Sequence, residues 1–210
     1  MPNIITAQEL ARFLKLKHDG EPMIPSDKTD PSLQDLNDIL DEVEAEFESK
    51  TFNAFGHIAQ TTEWHDLVYE YEPFKGRPVY LWRVGCKEFD KSQGDRVEMK
   101  ISNDLQDMTS NVDFYNMEEG KIWLRFYGIV DTRPRLKITY RYGMPKEQIT
   151  ADIKLAIKKM AFINIVEGTL ITNVVQLVES IAVPLQSTLE RWRQDISETQ
   201  SRHMVYNMGR

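Results

Sequence analysis

The spacing of hydrophobic residues changes twice along this chain, and no other feature of the sequence limits the possible folds as strongly. From residue 31 to residue 52, apolar side chains recur every three or four positions, which indicates an amphipathic helix. Between Trp64 and Arg141, apolar and polar residues alternate instead, as they do in short antiparallel strands. After Pro145 the helical spacing returns. The sequence therefore predicts an α+β protein with helices at both ends and a sheet between them.

These changes of spacing also predict how the chain is divided. Residues 1–63 and 142–186 are expected to form a helical bundle, which is the body of the protein, and residues 64–141 an inserted antiparallel β-sheet domain. Residues 187–210 are expected to form a C-terminal helix and tail for docking onto a partner. Gly143 and Pro145, in the stretch YRYGMP, mark the point at which the chain leaves the sheet.

Capping residues indicate where the first two helices begin. Thr6, with Glu9 three residues later, has the pattern of a capping box, in which side chains satisfy the free N–H groups of the first turn. Asp30 is expected to cap the second helix, with Pro31 at its first position.

The second helix is predicted to have one apolar and one acidic face. The apolar face consists of Leu33, Leu36, Ile39, Leu40, Val43 and Phe47. The other face carries more carboxylates than the single nearby Lys50 balances, including Asp35, Asp38, Asp41, Glu42 and Glu46. Two interpretations are open: a solvated acidic surface, or a site for an ion or a partner.

The net charge and the cysteine content exclude several classes of protein. A formal net charge of -7 and a pI of about 5.2 argue against a protein that coats duplex DNA, which needs many Lys and Arg contacts to phosphates. The single Cys86 allows no intramolecular disulfide and no cysteine-rich zinc site, as is typical of a reducing compartment such as the cytoplasm. Neither a secretion leader nor a membrane span is predicted.

No motif for catalysis stands out. The chain contains no G-x-S-x-G, P-loop or G-x-G-x-x-G pattern, so we expect no catalytic, cofactor-binding or metal-binding residues and no enzyme activity. The alternative is a small metal-dependent hydrolase that uses two histidines and a carboxylate, namely His57, Glu63 and His65. Their spacing matches no helical or turn-based metal pattern.

Aromatic residues are frequent in the strand-rich region. The set comprises Trp82, Phe114, Tyr115, Trp123, Phe126 and Tyr127. Because neighbours in a strand point to opposite faces, some of these residues are expected on the outer face of the sheet. The acidic charge favours a protein subunit over nucleic acid as the partner of that face. Filling of the core beneath the sheet is the alternative.

The C-terminal segment has an apolar stripe with a tryptophan at its centre. Leu189, Trp192 and Ile196 recur on one side of a predicted helix, and Arg191 and Arg193 flank the tryptophan. Trp and Arg are enriched at protein interfaces, so this stripe is expected either to bind a partner or to fold back onto the core of its own chain.

Four stretches together resemble the head-tail connector family of tailed phages and related viruses, also called adaptor or head-completion proteins. They are IITAQELARFLKL, VEAEFESKT, LKITYRYGM and PKEQITADIKLAIKKMAF, which occur in the order of the family over residues 4–168. The resemblance implies a ring, typically a dodecamer, that lies below the portal protein in the neck of the virion. Such a ring extends the DNA channel and joins the portal to the next neck or tail-completion protein. A minor tail or scaffold protein of similar architecture is the alternative.

The resemblance also implies roles for particular residues. Members of the family commonly reach the portal with their C-terminal segment, which here gives the candidates Leu189, Arg191, Trp192, Arg193, Ile196, His203, Met204, Tyr206 and Met208. Duplex DNA passes through such a ring without specific binding, which makes the carboxylates of the second helix candidates for lining the channel. The strand-rich region is larger than in minimal members of the family.

Overall fold

A computed structural model describes residues 4–18, 20–67, 71–83, 88–101, 103–125, 135–167 and 185–204. It confirms the α+β class, with helices near both ends of the chain and antiparallel sheets between them. The described residues divide into two compact units, one built from 1–51 and 146–204 and the other from 52–145. No helix among the described residues is both long and apolar enough to cross a membrane.

In the described residues, the first unit, here called the helical unit, contains four helices and a short hairpin. The helices are α1 (Ala7–Phe13), α2 (Leu33–Thr51), α3 (Ala151–Glu167) and α4 (Leu185–His203), and the hairpin pairs β1 (Lys17–His18) with β2 (Glu21–Pro22). Helix α2 contacts the other three helices, and α3 also packs against α1 and α4. Helices from the N-terminal and C-terminal parts of the described chain therefore pack together in one helical core.

The capping box of α1 is confirmed. The Glu9 N–H donates to Thr6 Oγ1 over 3.1 Å, and the Thr6 N–H donates to the Glu9 carboxylate over 2.8 Å. These bonds satisfy two donors that the first turn leaves without helical partners.

The predicted start of α2 at Pro31 is wrong. Ser32 caps this helix instead, because its hydroxyl accepts the Asp35 N–H at 3.2 Å while its own N–H donates to the Asp35 carboxylate at 2.9 Å. This reciprocal pair satisfies the N–H groups of both Ser32 and Asp35. Asp30 lies two residues too early to form the same pair. As a result, Leu33 is the first helical residue and is 38% exposed, whereas the rest of its predicted apolar face is buried.

The second unit, here called the β unit, contains nine strands. They are β3 (Phe55–Gly56), β4 (Ala59–Asp66), β5 (Arg77–Tyr80), β6 (Arg96–Ile101), β7 (Asp104–Asp107), β8 (Val112–Asn116), β9 (Lys121–Leu124), β10 (Arg135–Tyr142) and β11 (Met144–Pro145) among the described residues. One antiparallel sheet has the order β4-β10-β6-β7 and another the order β5-β9-β8. A short parallel pair joins β11 to β3.

The core of the β unit lies between its two larger sheets. Each sheet contributes alternate residues of its strands, including Val79, Val97, Met99, Ile122, Leu124, Leu136, Ile138 and Tyr140. The first sheet begins at Ala59, five residues before Trp64, where the alternating pattern predicts its start. Residues 59–62 are Ala, Gln, Thr and Thr, so the first half of β4 pairs with β10 without carrying a large apolar side chain.

The turn between β10 and β11 requires a glycine. Gly143 has a φ of 118°, and a Cβ at this position would lie 2.6 Å from the His57 carbonyl oxygen. A neighbouring backbone bond, from the Met144 N–H to the Ala54 oxygen at 2.8 Å, fixes the same close approach. The predicted exit from the sheet at Gly143 and Pro145 therefore corresponds to the end of β10 and to strand β11.

Candidate interaction surfaces

The acidic face of α2 is exposed to solvent. It carries the five predicted carboxylates, Asp35, Asp38, Asp41, Glu42 and Glu46. Lys50 lies 2.5 Å from Glu46 at one end of this face, and the Gln34 amide donates to Asp38 at 2.6 Å. Residues 1–51 contain twelve Asp and Glu against five Lys and Arg, whereas residues 52–145 contain fourteen against thirteen. The negative charge of the protein is therefore concentrated on the sequence that contains α2.

Glu44 is a further carboxylate on α2, and it is not one of the five predicted on the acidic face. It accepts the Ile4 N–H at 2.7 Å, and Ile4 and Ile5 are themselves buried against the helical unit. Burial raises the pKa of Glu44 to about 7, and the nearby Asp41 and Glu48 carboxylates act in the same direction. Glu44 lies one turn after Leu40, beside the apolar face, and this position is the sequence signal that predicts its partial burial.

We expect the half-buried Glu44 to make the helical unit less stable at high pH. A carboxyl group whose pKa is higher in the folded than in the unfolded state stabilises the fold below its unfolded pKa, and this contribution is lost as the pH rises through about 7. After a discount for partial exposure to water, the free energy of unfolding should fall by about 2 kcal/mol between pH 5 and pH 8. Glu44→Gln should remove this fall.

Denaturant unfolding at both pH values measures the effect. Glu46→Gln, a change at an exposed position of the same helix, is the control and should keep the pH dependence of the wild-type protein. An equal pH dependence in the wild-type protein and Glu44→Gln would show that another group is responsible.

Helix α4 packs on its own unit rather than standing free. Trp192 contacts the rings of Phe13 and Phe162 at centroid distances of 5.9 and 5.1 Å, and Leu189 and Ile196 are buried. Of the two interpretations of this apolar stripe, the structure favours folding back onto the core. Truncation of the chain before α4 would consequently remove part of that core.

The remaining candidates on α4 differ in exposure. Arg191 and Arg193 are exposed, and Arg193 pairs with Glu167, while His203 and Met204 are half-buried. His203 Nε2 lies 3.0 Å from Asp152 in the first turn of α3. Although burial opposes ionisation, hydrogen bonds from Thr150 and His203 hold the pKa of Asp152 at about 2. Tyr206 and Met208 lie outside the described residues.

The structure brings together only part of the predicted metal-binding set. Glu63 is buried and its carboxylate contacts His65 Nε2 at 3.0 Å, but it also accepts the Tyr140 hydroxyl at 2.6 Å and the Trp82 N–H at 3.0 Å. His57 Nδ1 contacts the Phe55 carbonyl oxygen instead. Among the described residues, no group of three His, Cys, Asp or Glu side chains is arranged to hold a metal. Glu63 acts there as a structural acceptor.

The predicted aromatic residues divide between the core and the surface. Trp82, Phe114 and Tyr115 are between 41% and 58% exposed, whereas Trp123 is buried. Phe126, Tyr127 and Cys86 lie outside the described residues. Three of the predicted aromatic residues are therefore exposed on the β unit, and one of them, Trp82, contacts the His65 ring at a centroid distance of 5.4 Å.

A loop at residues 72–76 carries the most exposed of the large hydrophobic side chains in the described part of the chain. Phe74 is 87% exposed and has a φ of 69°. The loop is closed by two backbone bonds between Glu72 and Gly76, at 2.8 and 3.0 Å, and the Arg125 guanidinium donates to the Phe74 carbonyl oxygen. Pro73 and Gly76, in the stretch EPFKGRP between two alternating runs, were the available sequence signal for this loop.

A groove of about 520 Å³ lies between α2, α3 and α4 in the helical unit. Apolar side chains of Met160, Ile163 and Ile196 contribute to its lining, and the charged pairs Glu46–Lys50 and Glu167–Arg193 border it. Ser197 and Gln200 of α4 complete one wall. The groove thus combines an apolar part with a charged rim.

Comparison with known proteins gives a structural similarity that extends over most of the chain. No protein-family model and no curated protein matches it. Among solved structures, the chain is similar to one from the neck of an empty GTA particle computed with C6 symmetry. The two chains are 14% identical, the TM-score is 0.46, and the match covers 90% of this chain and 89% of the other.

Proposed function

We propose that this protein is a structural virion protein, a head-tail adaptor that forms a homo-oligomeric ring below the portal. The ring extends the DNA channel and joins the capsid to the tail. We expect a dodecamer in the neck of the virion, with the portal protein on one side and the next neck or tail-completion protein on the other. The protein is not expected to act as an enzyme or to need a cofactor.

The observation that carries the proposal is where the four adaptor-like stretches lie in the fold. Three of them fall on α1, on the end of α2 and on α3, and these helices contact one another in the helical unit. The fourth, LKITYRYGM, forms most of β10 and the turn at Gly143. Stretches that are far apart in the sequence thus build one helical body and the strand that leads back into it.

The acidic face of α2 supports the assignment of a DNA channel. Its exposed carboxylates, from Asp35 to Glu46, would repel the phosphates of a passing duplex. Attractive contacts would have to be broken at each step of DNA movement, whereas a repulsive wall lets the duplex slide. We therefore assign Asp35, Asp38, Asp41, Glu42 and Glu46 to the wall of the channel.

The exposed part of α4 supports the assignment of a portal contact. Leu189, Trp192 and Ile196 are already engaged within the helical unit, so they act by holding α4 in place. The contact itself is assigned to the exposed Arg191 and Arg193 and to the half-buried His203 and Met204, together with Tyr206 and Met208 further along the chain. Arginine at such positions offers several hydrogen-bond donors to a partner.

Native mass spectrometry of the full chain with its portal protein tests the proposal. We expect a ring of this chain on the portal, and Arg191→Glu should lower the fraction of portal that carries a ring by about tenfold. Ser201→Glu, a charge change at another exposed position of α4, is the control. If the chain does not bind the portal protein, it is a minor tail or scaffold protein instead. Cryo-EM that places α2 on the outer wall of the ring would exclude the channel assignment.

A further inference from the structure

We propose that a pocket beside the Phe74 loop, residues 72–76, binds a neutral saccharide. The pocket lies on the β unit between this loop, β8 and β9, and its volume is about 640 Å³. Pockets for small ligands typically measure about 300–1,000 Å³. The proposal goes beyond the adaptor role, because it requires neither a ring nor the portal protein. It gives a ligand to a part of the chain to which the proposed function assigns no partner.

Two exposed aromatic rings line the pocket. Phe114 and Tyr115 are 41% and 43% exposed, and both belong to β8, which lies at the edge of its sheet as described. Trp123, opposite Phe114 on β9, is buried beneath them. The face of an aromatic ring is negative and attracts weakly positive C–H groups, which a sugar ring presents on its own faces. The exposed rings can therefore stack against a sugar.

The Glu72 carboxylate supplies hydrogen-bond acceptors in the pocket. It accepts from Lys121 Nζ at 2.6 Å with one oxygen and from Trp123 Nε1 at 2.8 Å with the other. An ionised carboxylate has about four acceptor positions, so about two are left for a ligand. The hydrogen bond from Lys121 lowers the pKa of Glu72, which keeps this group ionised at neutral pH. Its side chain is 36% exposed and accessible to a ligand.

Ammonium and amide groups supply donors at the same place. Lys75 Nζ and Lys121 Nζ lie 4.7 and 4.6 Å from the centre of the Trp123 ring. Each ammonium group has three donors. The side-chain oxygen of Asn116 accepts the Glu119 N–H at 3.2 Å, and its NH₂ group adds donors to the pocket. Donors and acceptors thus lie side by side next to the two exposed rings.

This arrangement favours a neutral ligand that both donates and accepts. The lining contains two carboxylates, Glu72 and Glu119, and two ammonium groups, Lys75 and Lys121, so its formal charges cancel. A phosphate or a carboxylate only accepts hydrogen bonds, and the negative charge of Glu72 would repel it. A hydroxyl group donates and accepts. Saccharides combine several hydroxyl groups with C–H faces, and they match both parts of the lining.

The Phe74 loop holds Glu72 and Lys75 in position without a ligand. Two backbone bonds between Glu72 and Gly76, at 2.8 and 3.0 Å, close the loop. A Cβ on Gly76 would lie 2.5 Å from the Leu124 carbonyl oxygen, so the loop packs directly against the chain at the end of β9. Groups that are already ordered lose little conformational entropy when a ligand binds.

Saturation-transfer NMR of the full-length protein with three neutral tetrasaccharides tests the site. The probes are maltotetraose, cellotetraose and tetra-N-acetylchitotetraose. We expect at least one of them to bind with a Kd of about 1 mM or lower. Its affinity should stay within about twofold when the salt concentration rises from about 0.05 to 0.5 M, because no ion pair forms with a neutral ligand. Absence of binding by all three at about 10 mM would overturn the proposal.

Matched variants show whether the bound saccharide occupies this pocket. Phe114→Ala should weaken binding by at least about tenfold, because it removes a stacking ring. Phe74→Ala is the control, since it removes an exposed ring that lies beside the pocket but does not line it. Equal affinities of these two variants would overturn the proposal. Lys75→Met, at an exposed position, should weaken binding at least about threefold and keeps the test valid where Phe114→Ala alters the fold.

Adenosine monophosphate in the same assay tests the choice of ligand class. A nucleotide could stack its base on Phe114 and place its phosphate near Lys75. We expect it to bind at least about tenfold more weakly than the best saccharide. Tighter binding of adenosine monophosphate, with an affinity that falls as salt is added, would overturn the assignment of a neutral ligand.

Discussion

Replacing Glu63 by alanine is expected to lower the free energy of unfolding of the β unit by about 3–5 kcal/mol. The change removes the acceptor for the Tyr140 hydroxyl and for the Trp82 N–H, and it takes away the partner of His65. Each buried donor without an acceptor costs about 1–3 kcal/mol, because water does not replace the lost bond. The Tyr140 hydroxyl also accepts the Arg83 N–H at 2.9 Å, so the loss extends to the backbone beyond β5.

Denaturant unfolding followed by tryptophan fluorescence measures this loss. Glu63→Gln keeps one carbonyl acceptor and should cost only about 1–2 kcal/mol. Gln60→Ala, at an exposed position of the same strand, should change stability by less than about 0.5 kcal/mol. If the Glu63→Ala and Gln60→Ala variants are equally stable, the hydrogen bonds of Glu63 contribute nothing to the free energy of unfolding. Metal added to the wild-type protein should leave the transition unchanged, because Glu63 serves as a hydrogen-bond acceptor.

Replacing Gly143 by alanine is expected to destabilise the β unit by about 3 kcal/mol or more. The added Cβ would meet the His57 carbonyl oxygen at 2.6 Å and the Ala54 Cβ at 3.0 Å, both of which belong to closely packed backbone segments. The positive φ of 118° adds the cost that any L-residue pays in this region. The turn therefore either opens or displaces the β11–β3 pair.

Gly94→Ala separates the two costs. Gly94 has a φ of 90°, but the neighbour of an added Cβ is the end of the flexible Gln60 side chain at 3.2 Å. We expect a loss of about 1–2 kcal/mol from the backbone alone. Equal losses in the two variants, compared by denaturant unfolding, would mean that the close approach of Gly143 to His57 adds no strain.

The parts of the fold that follow from local chemistry were predictable. Three of them are set by residues that are close in the sequence: the Thr6–Glu9 capping box, the acidic face of α2 and the alternation in β10. The start of α2 was mispredicted because Asp30, Pro31 and Ser32 are all acceptable near a helix start, and the hydrogen bond to Asp35 decides among them.

Features that depend on distant residues were not predictable. Glu44 becomes important only because the segment at Ile4, forty positions away, lies against it. The Phe74 loop owes its shape to Arg125 and to Leu124, which are far along the sequence. Trp192 likewise packs against Phe13 and Phe162, which are distant in the sequence. The sequence therefore could not decide between partner binding and folding back onto the core.

The parallel pairing of β3 with β11 has a consequence for how this protein can change. Because Phe55 lies opposite Met144, the chain enters and leaves the β unit at adjacent positions, about 5 Å apart across the pair. Segments with adjacent ends can be inserted into a host fold, or excised from it, with little disturbance of the surrounding backbone. Because the two strands are parallel, a linker in place of residues 57–142 must run back from the end of β3 to the start of β11. The β unit is therefore suited to insertion into smaller helical proteins.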